Sequence, residues 1–166
     1  MRVRWSEGRI TLGLASESDT DLLGRVLADF AVPGRVLGLI GGLGAGKTRL
    51  ARAFAEALEV DPSAIASPTF VLIHEYAGRL PIYHFDAYRL GSTEAFEALG
   101  ASEYYEAGGV CLVEWADLVL ACLPADAWLV RIEADGPTGR VVTVDGPGLE
   151  ALATALGRFD PGPRPS

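Results

Sequence analysis

The octapeptide Gly41-Gly42-Leu43-Gly44-Ala45-Gly46-Lys47-Thr48 constrains this chain more than any other stretch. It matches the phosphate-loop pattern G-x-x-x-x-G-K-[ST] at every fixed position. Before it runs Val36-Leu37-Gly38-Leu39-Ile40, a short apolar segment that reads as a buried strand. After it, Arg49 to Leu58 carries apolar residues at helical spacing among strong helix formers. Strand, glycine loop and helix are what polyphosphate binding requires. Glycines let backbone N–H groups turn inward around the anion, and the helix N-terminus adds partial positive charge. Lys47 would reach the β- and γ-phosphates, and the Thr48 hydroxyl would ligate Mg²⁺. Lys47 is also the only lysine of the chain, every other cation being arginine. A slender, mobile ammonium is kept for the one position where a phosphate wants it.

The remaining pattern builds a sheet around that unit. Arg9 to Leu14 alternates like an edge strand, and Ser18-Asp19-Thr20-Asp21 reads as a helix start. Tyr76 and Ile82 bracket a turn at Arg79-Leu80-Pro81, which predicts a β-hairpin and hence an antiparallel part of the sheet. Ser92 caps a short helix, and Val110 to Val113 is a continuous apolar strand. Ala127–Glu133 and Arg140–Val144 are late strands, followed by a final helix from Gly148 to Leu156. The prediction is an α/β fold, a single-domain P-loop NTPase with a mixed parallel/antiparallel sheet flanked by helices. It spans residues 1–158, with a proline-rich tail over 159–166. A length of 166 residues suits one domain. No apolar run approaches a membrane span and no secretory h-region opens the chain, so a cytoplasmic protein is expected. Cys111 and Cys122 make neither a disulfide framework nor a metal knuckle.

A phosphate loop needs an acid to orient Mg²⁺. Glu114 ends the apolar run Val110 to Val113, in the manner of a Walker B segment, and Asp86 ends the strand Ile82 to Phe85. An isolated strand-end acid is commonly a solvated carboxylate. Two of them in a phosphate-loop chain point toward the metal, and the residues alone leave open which one touches it. Thr69, in a Ser-Pro-Thr loop after the phosphate-loop helix, stands where a γ-phosphate sensor would, or is a plain turn hydroxyl. His74 and His84 lack metal spacing and read as packing residues. Trp115 reads as a core aromatic ahead of a site residue. The net charge of −8 provides no electrostatic footprint for DNA or RNA, so any RNA would be held mainly by partners.

The phosphate loop, then Ser67-Pro68-Thr69-Phe70, His84-Phe85-Asp86-Ala87-Tyr88-Arg89-Leu90 and Val113-Glu114-Trp115-Ala116-Asp117, in that order and spacing, resemble the TsaE (YjeE) family. This is the small bacterial ATPase of tRNA threonylcarbamoyladenosine synthesis. The chain departs from it at Gly42, often an acid there, and at Ala87 and Ala116. The resemblance implies a compact mixed-sheet ATPase using ATP and Mg²⁺. Lys47, Asp86 and Glu114 are then catalytic, and Thr48, Glu114 and Asp86 form the metal site. The loop residues Gly41 to Thr48, with Thr69, Trp115 and Arg140, approach the nucleotide. It also implies partners of the TsaB and TsaD type and modification of adenosine 37 in tRNAs reading A-starting codons. Two rivals from the residues alone are a small-molecule or nucleoside kinase and a nucleotide-gated binding module without catalysis. A kinase would usually carry an arginine-rich lid, whereas only scattered Arg79 and Arg89 follow the loop helix.

Overall fold

The computed structural model describes residues 1–6, 8–65 and 72–160. Eight strands form one sheet in the order β1-β2-β8-β7-β3-β6-β5-β4. They are β1 Arg2–Ser6, β2 Arg9–Leu14, β3 Val36–Ile40, β4 Ile73–Tyr76, β5 Ile82–Asp86, β6 Val110–Glu114, β7 Trp128–Asp135 and β8 Gly139–Asp145. The middle, β7-β3-β6-β5, is parallel, and both flanks are antiparallel. This is the mixed sheet the sequence predicts. β3 and β6 are buried at every position, which is why their sequences read as unbroken apolar runs rather than alternations.

The helices are α1 Glu17–Asp29, α2 Lys47–Ala57, α3 Ala87–Leu90, α4 Thr93–Ala98, α5 Ala101–Tyr105 and α6 Glu150–Gly157, with 3₁₀ turns at Ala116–Leu118 and Leu120–Cys122. Strand residues divide by parity. Leu37, Leu39, Leu112, Val130 and Ile132 join the core under α1, α2 and α6. Val36, Ile40, Cys111, Val113 and Leu129 join the opposite core with Phe96 and Ala101 of α4 and α5. α1 and α2 pack closely because Gly24 has no side chain. A Cβ there would lie 2.8 Å from both the Ala53 Cβ and the Leu50 carbonyl oxygen.

Two features differ from the sequence reading. Arg9–Leu14 is not an edge strand, since β1 pairs antiparallel with it from outside. The α1 cap is Ser16 rather than Ser18. Ser16 Oγ accepts from the Asp19 N–H at 3.3 Å while Asp19 accepts from the Ala15 N–H at 2.7 Å, so two groups at the helix start are satisfied reciprocally. At the other end, Asp160 accepts from the Val3 N–H at 2.9 Å and ties the segment after α6 to β1.

Candidate functional site

β3 delivers the phosphate loop to the carboxyl edge of the parallel strands, where open α/β sheets bind ligands. α2 then begins at Lys47, capped by Gly46 at φ +113° with no side-chain hydrogen bond. With no side-chain cap, the first N–H groups of α2 have no side-chain acceptor and are available to an anion. Strand register brings the acids to the same edge. Glu114 lies opposite Leu39 of β3 on one side and Asp86 of β5 on the other. Three strands thus end side by side, with the loop and both carboxylates at one edge of the sheet.

Lys47 is only 5% exposed, and its Nζ donates to the Gly41 and Gly42 carbonyl oxygens at 2.7 and 2.9 Å. The ammonium also sits 3.7 Å from the centroid of the Trp115 ring. Burial pushes its pKa below the usual lysine value, and the charges of Glu114, Asp117 and Asp86 work against that fall. Trp115 is half-buried rather than a core residue, with φ +58° at the start of the 3₁₀ turn, and its ring centroid lies 4.9 Å from that of Tyr88. A tryptophan in the left-handed region is uncommon, and here it aims the indole at the lysine.

The Thr48 hydroxyl donates to Glu114 Oε2 at 3.0 Å. Glu114 Oε1 meets His84 Nε2 at 2.9 Å, and both side chains are buried. Asp86 caps α3 through the Tyr88 N–H at 3.1 Å and lies 3.4 Å from Arg89 Nε. Arg140 of β8 reaches across to the phosphate loop. Its Nε donates to the Ala45 carbonyl oxygen at 2.8 Å and its Nη2 to that of Gly44 at 3.4 Å. Gly41 to Ala45 of the loop, with Trp115, Asp117 and Arg131 to Ala134, line a cleft of about 560 Å³, and Leu43 stands at the exposed loop tip.

The structure therefore gathers the loop residues Gly41 to Thr48 with Asp86, Glu114, Trp115 and Arg140. Thr69 lies outside the described residues. Arg79 belongs elsewhere, bonded to the Ala28 carbonyl oxygen of α1. Two residues at the site escaped the sequence reading. Asp117 follows Trp115 at the cleft wall, and His84, taken for a packing residue, holds a site carboxylate. The signal for His84 was its spacing: two residues before Asp86 on one strand, it shares that acid's face of the sheet.

The likeness to known proteins runs along most of the chain. A family model described as Threonylcarbamoyl adenosine biosynthesis protein TsaE matches residues 14–142. The tRNA threonylcarbamoyladenosine biosynthesis protein TsaE of Bacillus subtilis (strain 168) is 42% identical over 145 residues, 86% of this chain and 90% of that one. Its namesake from Treponema pallidum (strain Nichols) is 40% identical over 131 residues, 78% of this chain and 95% of that one. A crystal structure of YdiB from Bacillus subtilis aligns with a TM-score of 0.73 at 36% identity, over 95% of this chain and 97% of that one. With a matching family model over residues 14–142, close relatives over nearly their full lengths and a shared fold, the chain belongs to the TsaE family.

Proposed function

We propose that this chain is the ATP-binding and ATP-hydrolysing subunit of the machinery that makes N6-threonylcarbamoyladenosine at position 37 of tRNAs reading A-starting codons. Its partners are proteins of the TsaB and TsaD type, which hold most of the tRNA. The domain is residues 1–158, and the cleft beside the phosphate loop takes the nucleotide. The observation that carries this reading is the hydrogen bond from Thr48 at the start of α2 to Glu114 at the end of β6. It joins the phosphate-loop hydroxyl to the acid of the Walker B-like strand.

The donor set suits a magnesium nucleotide. A hydroxyl and a carboxylate are hard oxygen ligands, and the uncapped N–H groups at the start of α2 suit an anion. When bound, magnesium neutralises charge on the β- and γ-phosphates. The chain's own residues do the rest. Lys47, held against two loop carbonyls, has a third N–H to give, and a phosphate competes for all three. Thr48 and Glu114 would hold the cation. Asp86, on the next strand, orients the attacking water. Arg140 braces the loop from β8 and approaches the nucleotide, as does Trp115 over Lys47.

Phosphate release from ATP, measured with Mg²⁺ and with or without TsaB- and TsaD-type proteins, tests the proposal. Slow turnover alone that changes when the partners are added is expected. Turnover that requires an added phosphoryl acceptor would identify a kinase instead, and nucleotide binding without any turnover would leave only a binding module.

A further inference from the structure

We propose that His84 is a positioning residue for the cation site, holding Glu114 in the rotamer that faces Thr48. The inference rests on the magnesium-nucleotide reading above. Glu114 divides its two oxygens: Oε2 accepts from Thr48 and Oε1 contacts His84 Nε2. A carboxylate can only accept, so Nε2 carries the proton and donates. Among the described residues no other side chain is bonded to Oε1. Without His84 a buried acceptor loses its partner, and the carboxylate is free to rotate away from Thr48.

The ring itself is confined. His84 faces His74 in the β4–β5 register and its ring is tilted 6.3 Å from that of Tyr76. Toward α2 it borders a cavity of only about 80 Å³ that Thr48 and Ala51 also line. The neighbouring inward position on β5 is Ile82, fully buried, so an aliphatic residue would satisfy packing at position 84. What histidine adds is one donor at fixed height above β6, aimed at the residue two beyond its register partner Leu112. Carboxylate ligands of metals depend on such outer hydrogen bonds, and losing one costs about 10- to 100-fold in metal affinity or activity.

Three variants of the full chain test this: His84→Phe, which keeps ring bulk without a donor; His84→Leu, for use where phenylalanine's bulk disturbs folding; and His84→Gln, which restores an amide donor. The readouts are Mn²⁺ binding in the presence of ADP, followed by electron paramagnetic resonance, and binding of a fluorescent ATP analogue in excess chelator. The donor-less variants are expected to bind Mn²⁺ about tenfold more weakly or worse. Their metal-free nucleotide affinity stays near wild type, and His84→Gln recovers most of the loss. In a Glu114→Ala background, His84→Phe should cost nothing further. Unchanged Mn²⁺ affinity, a parallel loss of both affinities, no rescue by glutamine, or a full further loss without Glu114 would each overturn the proposal. Wild-type chain that binds neither nucleotide nor Mn²⁺ overturns the underlying site reading as well, whereas wild-type binding with an indifferent His84→Phe removes this proposal alone.

Discussion

Replacing Glu114 by glutamine separates charge from shape at the centre of the site. Magnesium sits about 2.1 Å from an oxygen ligand. Thr48 Oγ1 is 3.0 Å from Glu114 Oε2. An ion on the threonine is therefore within about 5 Å of the carboxylate, even if a water intervenes. A divalent cation and a unit negative charge about 5 Å apart attract by about 1.7 kcal/mol at the dielectric of bulk water, and by several times that in a protein environment. Glu114→Gln should then raise the Mg²⁺ concentration for half-maximal hydrolysis at least roughly 15-fold. Stability should change little, for two opposing reasons. The amide removes a buried charge and can still bond Thr48 and a tautomerised His84. It also leaves the buried Lys47 ammonium with less compensation. Hydrolysis across a Mg²⁺ series, with melting curves alongside, gives the answer. An unchanged magnesium midpoint in a folded Glu114→Gln protein would refute the assignment.

Asp86→Asn is the contrasting perturbation. Asparagine caps a helix as well as aspartate, and the ion pair with Arg89 is partly exposed and worth under about 1 kcal/mol, so the fold survives. Turnover should fall with the magnesium midpoint unmoved, as expected when a transition-state interaction is lost. Interchangeable profiles for the two variants would end the division of labour between the acids. Lys47→Ala should abolish hydrolysis and weaken ATP binding, while Thr48→Ala should harm Mg²⁺-dependent turnover more than metal-free nucleotide binding; wild-type turnover in Lys47→Ala would sink the phosphate-loop assignment. The isolated chain should not bind tRNA tightly at physiological salt, because the net charge is −8 and Arg49 and Arg52 are paired with Asp21, Glu17 and Glu56. Sub-micromolar binding in a fluorescence titration would contradict this. Burial pushes the Cys111 thiol up to about 12 from 9.0, so above pH 9 the unfolded chain binds fewer protons than the folded one and stability should fall as pH rises toward 12. Cys111→Ala should flatten that slope in alkaline melting curves, and an equal slope would show that the thiol titrates freely in the fold.

The parts legible in the sequence are those whose physics is local. The phosphate loop fixes its own conformation with glycines and announces its ligand with Lys47 and Thr48. β3 and β6 are legible because a strand buried on both faces has to be apolar throughout. The hairpin β4–β5 is legible because its turn residues adjoin its strands. β1 is not legible, because Arg2-Val3-Arg4-Trp5-Ser6 exposes most of its side chains and so carries no apolar alternation; it owes its extended form to pairing with β2, which begins at Arg9. That added strand is also what turns β2 from an edge into an interior strand.

The site divides along the same line. Two acids ending strands could be read from the chain, but their meeting depends on sheet order, which places β6 between β3 and β5. Once that order is known, Glu114 has to lie beside both the phosphate loop and Asp86. His84 illustrates the harder case. Its spacing from Asp86 puts it on that acid's face of β5, but nothing near it in sequence says that the carboxylate it holds is Glu114. Its partner is 30 residues away on the adjoining strand, and only the β5–β6 register decides that the two side chains share a face. A one-residue slip would turn His84 to the other side of the sheet, among Val113 and Cys111, with no acid to hold. The register that closes the cation site is thus the same register that buries the core. A mutation that shifts β5 should therefore damage metal binding and stability together, whereas one confined to the His84 imidazole should separate them.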